Sequence, residues 1–249
     1  MMYSEVPRQA ACREITGEPG LWKYDDLTIQ ADPDAHRATV AIALDRLHPG
    51  ARILDVGAGT GALARQLQDR GFDVECTSWN GRCGAGVVTY ALDLDRPFTL
   101  EQVGGRTFRM LSLIEVLEHV ENPAALLRCC ASVLDPDGLL VASTPNVGGL
   151  PARLQWLRRG CPQTFSVGEI QGNRHISMLW PQGTEYLAAQ AGLRIVERRA
   201  LLGMRRFPVR RWIYAAAARL LHTTAGVTLL YVLERDPQGA RRLGAGDVY

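Results

Sequence analysis

Two carboxylates and an imidazole lie within five consecutive residues of this chain. Glu115, Glu118 and His119 are spaced i, i+3 and i+4, so on a helical turn they share one face. Two carboxylates with few nitrogens suit Mg²⁺ or Mn²⁺ better than a thiolate-type zinc site, and His175 is the candidate for a fourth ligand. The residues therefore predict a divalent-cation site. Two alternatives stay open: His119 acts as a general base, or it only hydrogen-bonds a loop.

A second group of informative residues is rich in glycine. The apolar run Ile53-Leu54 leads to Asp55, and Gly57, Gly59 and Gly61 follow at alternate positions. Apolar residues then recur with helical spacing. The pattern predicts a buried strand, a tight turn and a helix start, with a turn that a ligand can approach closely because glycine has no Cβ. A nucleoside cofactor is the usual occupant of such a turn.

Strands and helices alternate around these residues. Strands are expected at 52–56, 73–77, 87–92, 107–113, 139–143, 193–200 and 227–234. Helices are expected at 34–47, from the glycine turn to about 70, at 124–134 and at 181–190, while residues 135–138 predict a turn. The alternation predicts an α/β fold with a doubly wound, mostly parallel, seven-stranded sheet.

Two less regular segments suggest how the domain is organised. We expect residues 1–35 and an insertion at about 145–180 to form a small lid over the strand ends, where ligands bind. The remainder, 36–249, is expected to be one domain.

The pattern Asp55-x-Gly57-x-Gly59-x-Gly61 resembles motif I of class I S-adenosylmethionine (SAM) methyltransferases, which have a Rossmann-like fold with an antiparallel last strand. The block from Leu113 to Pro123 resembles the same family, in particular the group of ubiquinone-biosynthesis O-methyltransferases and type 11 and type 23 methyltransferases. The resemblance implies that SAM is the cofactor. It also implies that Asp55 and the backbone of Gly57, Ala58, Gly59 and Gly61 hold the methionine amino end.

The resemblance implies further cofactor contacts on both sides of this turn. Arg37 would clamp the SAM carboxylate, and Asp93, beside Leu94, would take the adenine amino group, with Asp95 as the alternative. The family usually has an acid for the ribose at the end of strand 2, where this chain has Ser78. A neutral hydroxyl bonds more weakly than a carboxylate. Trp79 either compensates by stacking on adenine or belongs to the core.

The Glu-x-x-Glu-His pattern with a distal histidine resembles two methyltransferase groups. One methylates catechol hydroxyls in ubiquinone biosynthesis, and the other methylates the 2′-hydroxyl at small-RNA 3′ ends. In both, the resemblance implies a metal, here on Glu115, Glu118, His119 and His175, that acidifies the acceptor oxygen. The same block is widespread in methyltransferases with no known metal. His36, His48 and His222 are assigned to structure or surface.

Charge and composition narrow the choice of partners. The net charge is +2, yet residues 151–219 contain twelve arginines and three acids. An Arg-rich segment suits an anionic acceptor. The stretch 205–221, which contains a tryptophan, could also lie on an anionic membrane surface, and an ordinary packed helix fits that stretch as well. No dedicated nucleic-acid module, apolar span or signal peptide is evident, and six cysteines without a C-x-x-C pair fit a reducing cytoplasm. A homodimer is left open.

The sequence thus predicts a SAM-dependent enzyme that methylates a hydroxyl oxygen of a small phenol, sugar or lipid-linked acceptor. Methylation of RNA ends is one alternative. A non-catalytic, methyltransferase-like partner protein is another, because Ser78 and the short segment 80–86 depart from the family pattern. A nicotinamide-dependent oxidoreductase is the third, and the missing acid at Ser78 argues against it.

Overall fold

The computed structural model describes residues 13–18, 20–203 and 226–236. Numbered along the chain, the strands are β1 (Ile15–Thr16), β2 (Lys23–Tyr24), β3 (Leu27–Thr28), β4 (Arg52–Asp55), β5 (Asp73–Ser78), β6 (Thr89–Ala91), β7 (Phe108–Ile114), β8 (Leu134–Pro145), β9 (Leu193–Leu201) and β10 (Thr228–Arg235). The α-helices are α1 (Pro33–Arg46), α2 (Ala62–Gln68), α3 (Pro123–Val133), α4 (Leu150–Arg159), α5 (Val167–Asn173) and α6 (Pro181–Gln190). Short 3₁₀ helices cover Glu101–Val103, Leu117–His119 and Gln163–Phe165.

The main sheet has seven strands in the order β6-β5-β4-β7-β8-β10-β9. The pairs from β6 to β8 are parallel, whereas β10 runs antiparallel to both β8 and β9. The first three strands form a separate small antiparallel sheet. The expected doubly wound, mostly parallel sheet of seven strands is confirmed, including its antiparallel last strand.

Alternate residues of each central strand enter opposite halves of the core, because successive side chains of a strand point to opposite faces. In β4, Ile53 packs in the half formed with α1 and α2, and Leu54 packs in the half formed with α3 and α6. Met110 and Leu111 of β7 divide in the same way. Both faces of the sheet are thus covered by helices.

Proline and a side-chain cap fix the start of two helices. The Asn122 side chain accepts a hydrogen bond from the Ala125 N–H at 3.0 Å, and Pro123 occupies the first turn of α3, as the sequence predicts. Asp32 caps α1 in the same way, ahead of Pro33. The turn predicted at 135–138 is wrong. Those residues lie within β8 as a bulge, between the pairs Phe108–Leu134 and Met110–Leu139.

The order of the strands places a crevice beside the glycine turn. From β4 the chain continues outward to β5 and β6, and it then returns to the other side of β4 to form β7. Ligands of open α/β sheets bind at such a reversal, beyond the carboxyl ends of the strands. The turn after β4 and the Glu-x-x-Glu-His block after β7 therefore face the same crevice. In the described part of the chain, the helices all lack the length and apolar content that a membrane span requires.

Candidate active site

A cavity of about 1600 Å³ lies at the carboxyl ends of β4 and β7. Several parts of the chain line it, including the segment before α1 and the start of that helix, the glycine turn, the residues after β5, β6 and β7, the segment after β8 that contains α4 and α5, and the residues at the end of β9 and the start of β10. Both segments that the sequence analysis assigns to a lid thus contribute to its wall. The segment 205–221, His222 and Cys12 lie outside the described residues.

The glycine turn is built by left-handed backbone and by close packing. The φ angles of Gly57, Gly59 and Gly61 are 74°, 53° and 85°, a region that favours glycine. A Cβ on Gly61 would lie 2.9 Å from the backbone nitrogen of Ala85. The Gly57 N–H donates to the Thr77 hydroxyl at 3.0 Å, which anchors the turn to the end of β5. The three glycines are therefore required by the backbone conformation of the turn, and they also allow a ligand to approach it closely.

Asp55 is buried beneath this turn, with 3% of its surface exposed, and it lines the cavity. Its carboxylate accepts a hydrogen bond from the Ser112 hydroxyl at 2.7 Å. Burial disfavours the charged carboxylate and raises the pKa of Asp55 to about 7, although the Ser112 bond opposes the shift. A cationic ligand group placed beside Asp55 would restore its charge.

The loop 80–86 connects β5 to β6 and folds back on the glycine turn. The Gly84 N–H donates to the Thr60 carbonyl at 2.9 Å, and the Arg65 guanidinium donates to the Ala85 carbonyl at 2.9 Å. The Ser78 hydroxyl belongs to the same arrangement, because it accepts from the Arg82 N–H at 2.9 Å and donates to Asn80 at 3.1 Å. Ser78 lines the cavity, but its hydroxyl is engaged in holding the loop.

Trp79 lines the cavity with 85% of its surface exposed. The structure therefore excludes the alternative that this ring is part of the core. An exposed indole at the edge of a cofactor cavity is available to stack on a flat base.

Asp93 and Leu94 line the cavity next to this wall, as does Asp95. Asp93 accepts from the Asp95 N–H at 3.1 Å and pairs with Arg96 at 3.3 Å. Asp95 accepts from the Glu121 N–H at 2.7 Å and pairs with Arg174 at 3.2 Å. Both carboxylates line the cavity and could accept a hydrogen bond from a ligand amino group. The structure, like the sequence, therefore does not decide between Asp93 and Asp95.

Arg37, expected to clamp the SAM carboxylate, is absent from the described cavity wall. Its guanidinium pairs with Asp34 at 3.5 Å and is about half exposed. The preceding residue, His36, lines the cavity instead and is buried. The assignment of His36 to structure or surface alone is therefore incomplete. Its spacing from Val40 and Ala43, i, i+4 and i+7 on the buried face of α1, is the sequence signal that could have placed it.

Glu115 does not share a helical face with Glu118, contrary to the expectation from spacing. It follows β7 in left-handed backbone, with φ at 55°, and the 3₁₀ helix begins only at Leu117. The Glu115 carboxylate accepts from the Ser143 hydroxyl at 3.0 Å, and the same hydroxyl oxygen accepts from the Glu115 N–H. Strained backbone of this kind concentrates at functional sites.

Glu118 is fully buried, with 0% of its surface exposed, and neither carboxylate oxygen has a hydrogen-bond partner in the described residues. Burial, and then the nearby Glu115 carboxylate, raise the pKa of Glu118 well above its ordinary value. The Glu115 and Glu118 carboxyls lie close enough to interact directly, and two carboxyls this close in a buried site share a proton or hold a cation between them.

His119 follows Glu118 in the same 3₁₀ helix, and His175 approaches the pair from the segment after α5. Ligand atoms of the three residues lie within 4.8 Å of one another. The Nδ1 atoms of His119 and His175 lie 2.6 Å and 2.7 Å from the backbone carbonyls of Asn173 and Thr164. Because a carbonyl can only accept, each Nδ1 carries the proton and each Nε2 keeps its lone pair. Burial and the neighbouring His175 lower the pKa of His119, which also favours the neutral ring. This is the tautomer that metal-binding histidines adopt.

Three of the four predicted metal ligands are thus brought together, and Glu115 lies outside that group. The described residues that sequence reasoning missed include polar ones: Gln155 and Gln163, which hydrogen-bond each other, and Thr164 also line the cavity. No spacing in the sequence marks them, because they reach the cavity only through the fold of α4 and the following turn.

Comparison with known proteins gives a family and a fold. A family model for the methyltransferase domain matches residues 30–198. The ubiquinone biosynthesis O-methyltransferase of Xanthomonas axonopodis pv. citri is 32% identical over 152 residues, 57% of each chain. That of Caulobacter sp. is 34% identical over 105 residues, 39% of this chain and 42% of the relative. The chain spans about half the length of the curated relatives it matches.

Solved structures share the fold at low sequence identity. The CcbJ methyltransferase from Streptomyces caelestis has a TM-score of 0.54 at 16% identity, over 83% of this chain and 91% of that one. The magnesium protoporphyrin IX methyltransferase from Synechocystis, solved with bound S-adenosylhomocysteine, has a TM-score of 0.54 at 15% identity, over 82% and 83% of the chains. Both support a Rossmann-like architecture.

Proposed function

This chain belongs to the methyltransferase domain family, in the class I SAM-dependent group, and from that premise we propose that it transfers the methyl group of SAM to a hydroxyl oxygen of a small polar acceptor. The observation that carries the proposal is the shared cavity. The glycine turn and Asp55 form one part of its wall and His119 and His175 form another, while Glu118 of the same cluster is buried and does not line the cavity. A methyl donor and an acceptor oxygen would then meet between them.

The cofactor is proposed to lie across the carboxyl end of β4. Asp55, buried and poised near neutral pH, suits the methionine ammonium, and the exposed Trp79 ring suits the adenine face. Asp93 or Asp95 would take the adenine amino group. Holding donor and acceptor in line is expected to supply most of the rate enhancement, because orientation alone can be worth several orders of magnitude.

The donor set beside the cofactor fits a divalent cation. A buried carboxylate and two imidazoles whose Nε2 atoms keep their lone pairs are natural ligands of such a cation, and two nitrogens favour Mn²⁺ or a similar transition ion over Mg²⁺. When bound, such a cation would lower the pKa of a coordinated acceptor hydroxyl. The Asn173 and Thr164 carbonyls hold the two rings in orientation, and the fold excludes water from Glu118.

The acceptor is proposed to be a small polar molecule. The cavity wall also contains Asn146, Gln155 and Gln163, whose amide groups suit hydroxyl and carbonyl groups. Arg82 and Arg174 also line the cavity and would favour an anionic substituent. The O-methyltransferase names of the curated relatives agree with an oxygen acceptor.

Calorimetric titration with S-adenosylhomocysteine, and with NAD⁺ in a parallel experiment, tests the cofactor. Micromolar binding of the homocysteine compound with no heat from NAD⁺ is expected. Binding of NAD⁺ alone would support the oxidoreductase alternative, and binding of neither would support a non-catalytic protein.

The metal is tested by Mn²⁺ titration of the wild type and of a matched pair of variants. Glu118→Gln should weaken Mn²⁺ binding at least tenfold, because it removes the anionic ligand. Glu121→Gln, an exposed acid three residues away, should leave it unchanged. Equal Mn²⁺ affinity in all three proteins would contradict the assignment.

A further inference from the structure

His36 is a buried polar residue in a wall of the cavity that the proposed metal cluster does not use. Only 6% of its surface is exposed, and it lies on α1 among the apolar residues that pack against α2. The cavity lining includes His36 together with Asp55, Gly57 and Ala62. A polar ring at such a position needs hydrogen-bond partners.

One nitrogen of the His36 ring has a partner that fixes the proton on the other. Gln66 Nε2 lies 2.9 Å from His36 Nδ1 and 3.1 Å from the Ala62 carbonyl. The carbonyl only accepts, so the atom beside it is the amide nitrogen and not the amide oxygen. That nitrogen donates one hydrogen to Ala62 and the other to His36 Nδ1. Nδ1 is therefore the acceptor, and the proton resides on Nε2.

The hydrogen bond that the His36 ring makes to the described residues is the one through Nδ1, and the ring lines the cavity, which leaves Nε2–H for a ligand. Since Ala62 and Gln66 belong to α2, which starts directly after the glycine turn, this donor lies next to the end of the cavity marked by Asp55. Burial lowers the pKa of His36 to about 4, so the ring stays neutral in the physiological range. A neutral ring with one proton already placed on Nε2 is a directed donor.

The chemistry of the ligand at this end calls for such a donor. The methionine part of SAM carries an ammonium, for which Asp55 is available, and a carboxylate, which needs hydrogen-bond donors. The arginines of the described cavity wall are Arg82, beside Ser78 in the loop after β5, and Arg174, which pairs with Asp95. Neither belongs to the wall formed by α1 and α2, where Arg37 turns to Asp34.

We propose that His36 recognises the carboxylate of the cofactor's methionine part by donating its Nε2–H, and that Gln66 positions it for this by fixing the tautomer. The inference rests on the proposed SAM function. The proposal replaces the expected contact between Arg37 and the SAM carboxylate with a hydrogen bond from an uncharged donor, the Nε2–H of His36. A hydrogen bond to a charged group contributes enough that its loss should weaken binding by roughly tenfold or more.

Comparing S-adenosylhomocysteine with 5′-methylthioadenosine, which lacks the amino-acid part, isolates this contact. His36→Phe should weaken binding of the former about tenfold or more and leave the latter within about twofold. His36→Gln, which can place an amide N–H near the Nε2 position, should restore most of the loss. Thr39→Val is the control, because Thr39 is equally buried on α1 and does not line the cavity.

A measurement on the unaltered protein keeps the inference testable if a variant unfolds. Nitrogen-15 NMR of the histidine rings should show His36 protonated at Nε2, with the Nε2 signal shifting on addition of S-adenosylhomocysteine and not of 5′-methylthioadenosine. An unchanged ratio of the two affinities in His36→Phe, or a ring protonated at Nδ1, would overturn it. Failure of the wild type to bind either compound would instead overturn the SAM function itself.

Discussion

Lowering the pH from 8 to 6 should weaken S-adenosylhomocysteine binding about tenfold, through Asp55. Burial places the pKa of this carboxyl at about 7 in the free protein. The ionised fraction therefore falls from about nine-tenths at pH 8 to about one-tenth at pH 6. Only the ionised form attracts the methionine ammonium, which stays protonated throughout this range. Affinity follows the ionised fraction, so most of the change should lie between pH 6 and 8, with a plateau above.

Calorimetric titration at several pH values between 6 and 9 measures this dependence, with 5′-methylthioadenosine as the matched ligand without an ammonium. Its affinity should change little over the same interval. Asp55→Asn should bind S-adenosylhomocysteine weakly at every pH, with the step between pH 6 and 8 removed. A flat profile for the wild type, or the same slope for both ligands, would refute the assignment of Asp55 to the ammonium.

Three further predictions follow from the same structure. Without cofactor, Asp55→Asn should raise the free energy of unfolding at pH 8 by about 4 kcal/mol at most and change it little at pH 4. The reason is that the pKa of Asp55 is about 7 in the folded protein and about 4 in the unfolded chain, so the wild type loses stability as the pH rises. Denaturant unfolding at both pH values measures this difference, and equal effects at pH 4 and pH 8 would contradict it. Trp79→Ala should weaken S-adenosylhomocysteine binding about threefold to tenfold in calorimetry, whereas Trp180→Ala, exposed outside the cavity, should not. Gly61→Ala should destabilise the protein by about 1–3 kcal/mol more than Gly50→Ala. Both glycines have left-handed backbone, but of these two a new Cβ would clash with another backbone atom at Gly61 and not at Gly50. Similar shifts of the melting temperature in the two variants would contradict this.

The sheet could be predicted from the sequence because its evidence is local. Buried parallel strands appear as short apolar runs, and the glycines after Ile53-Leu54 mark where the first one ends. The turn expected at 135–138 fails for a non-local reason. Pairing with β7 continues on both sides of those residues, so they are accommodated as a bulge within one strand.

The site was predictable where a residue follows a strand and less so where tertiary contacts decide. Asp55 and the Glu118-His119 pair were singled out by local patterns, the glycine motif and the helical spacing, and the fold brings the ends of the two strands beside them to one edge. Helical spacing wrongly grouped Glu115 with them, since its left-handed backbone turns the chain before the 3₁₀ helix begins. Arg37 was expected in the site and His36 was assigned to structure or surface, but His36 is the one that lines the cavity, because which of two neighbours faces a cavity depends on how α1 packs against α2.

A crystal structure of the protein with S-adenosylhomocysteine tests the central claim most directly. We expect the adenine to lie against Trp79, the ammonium at Asp55 and the sulfur directed toward the cluster of Glu118, His119 and His175. An empty cavity at saturating ligand, or the ligand bound away from the glycine turn, would contradict it.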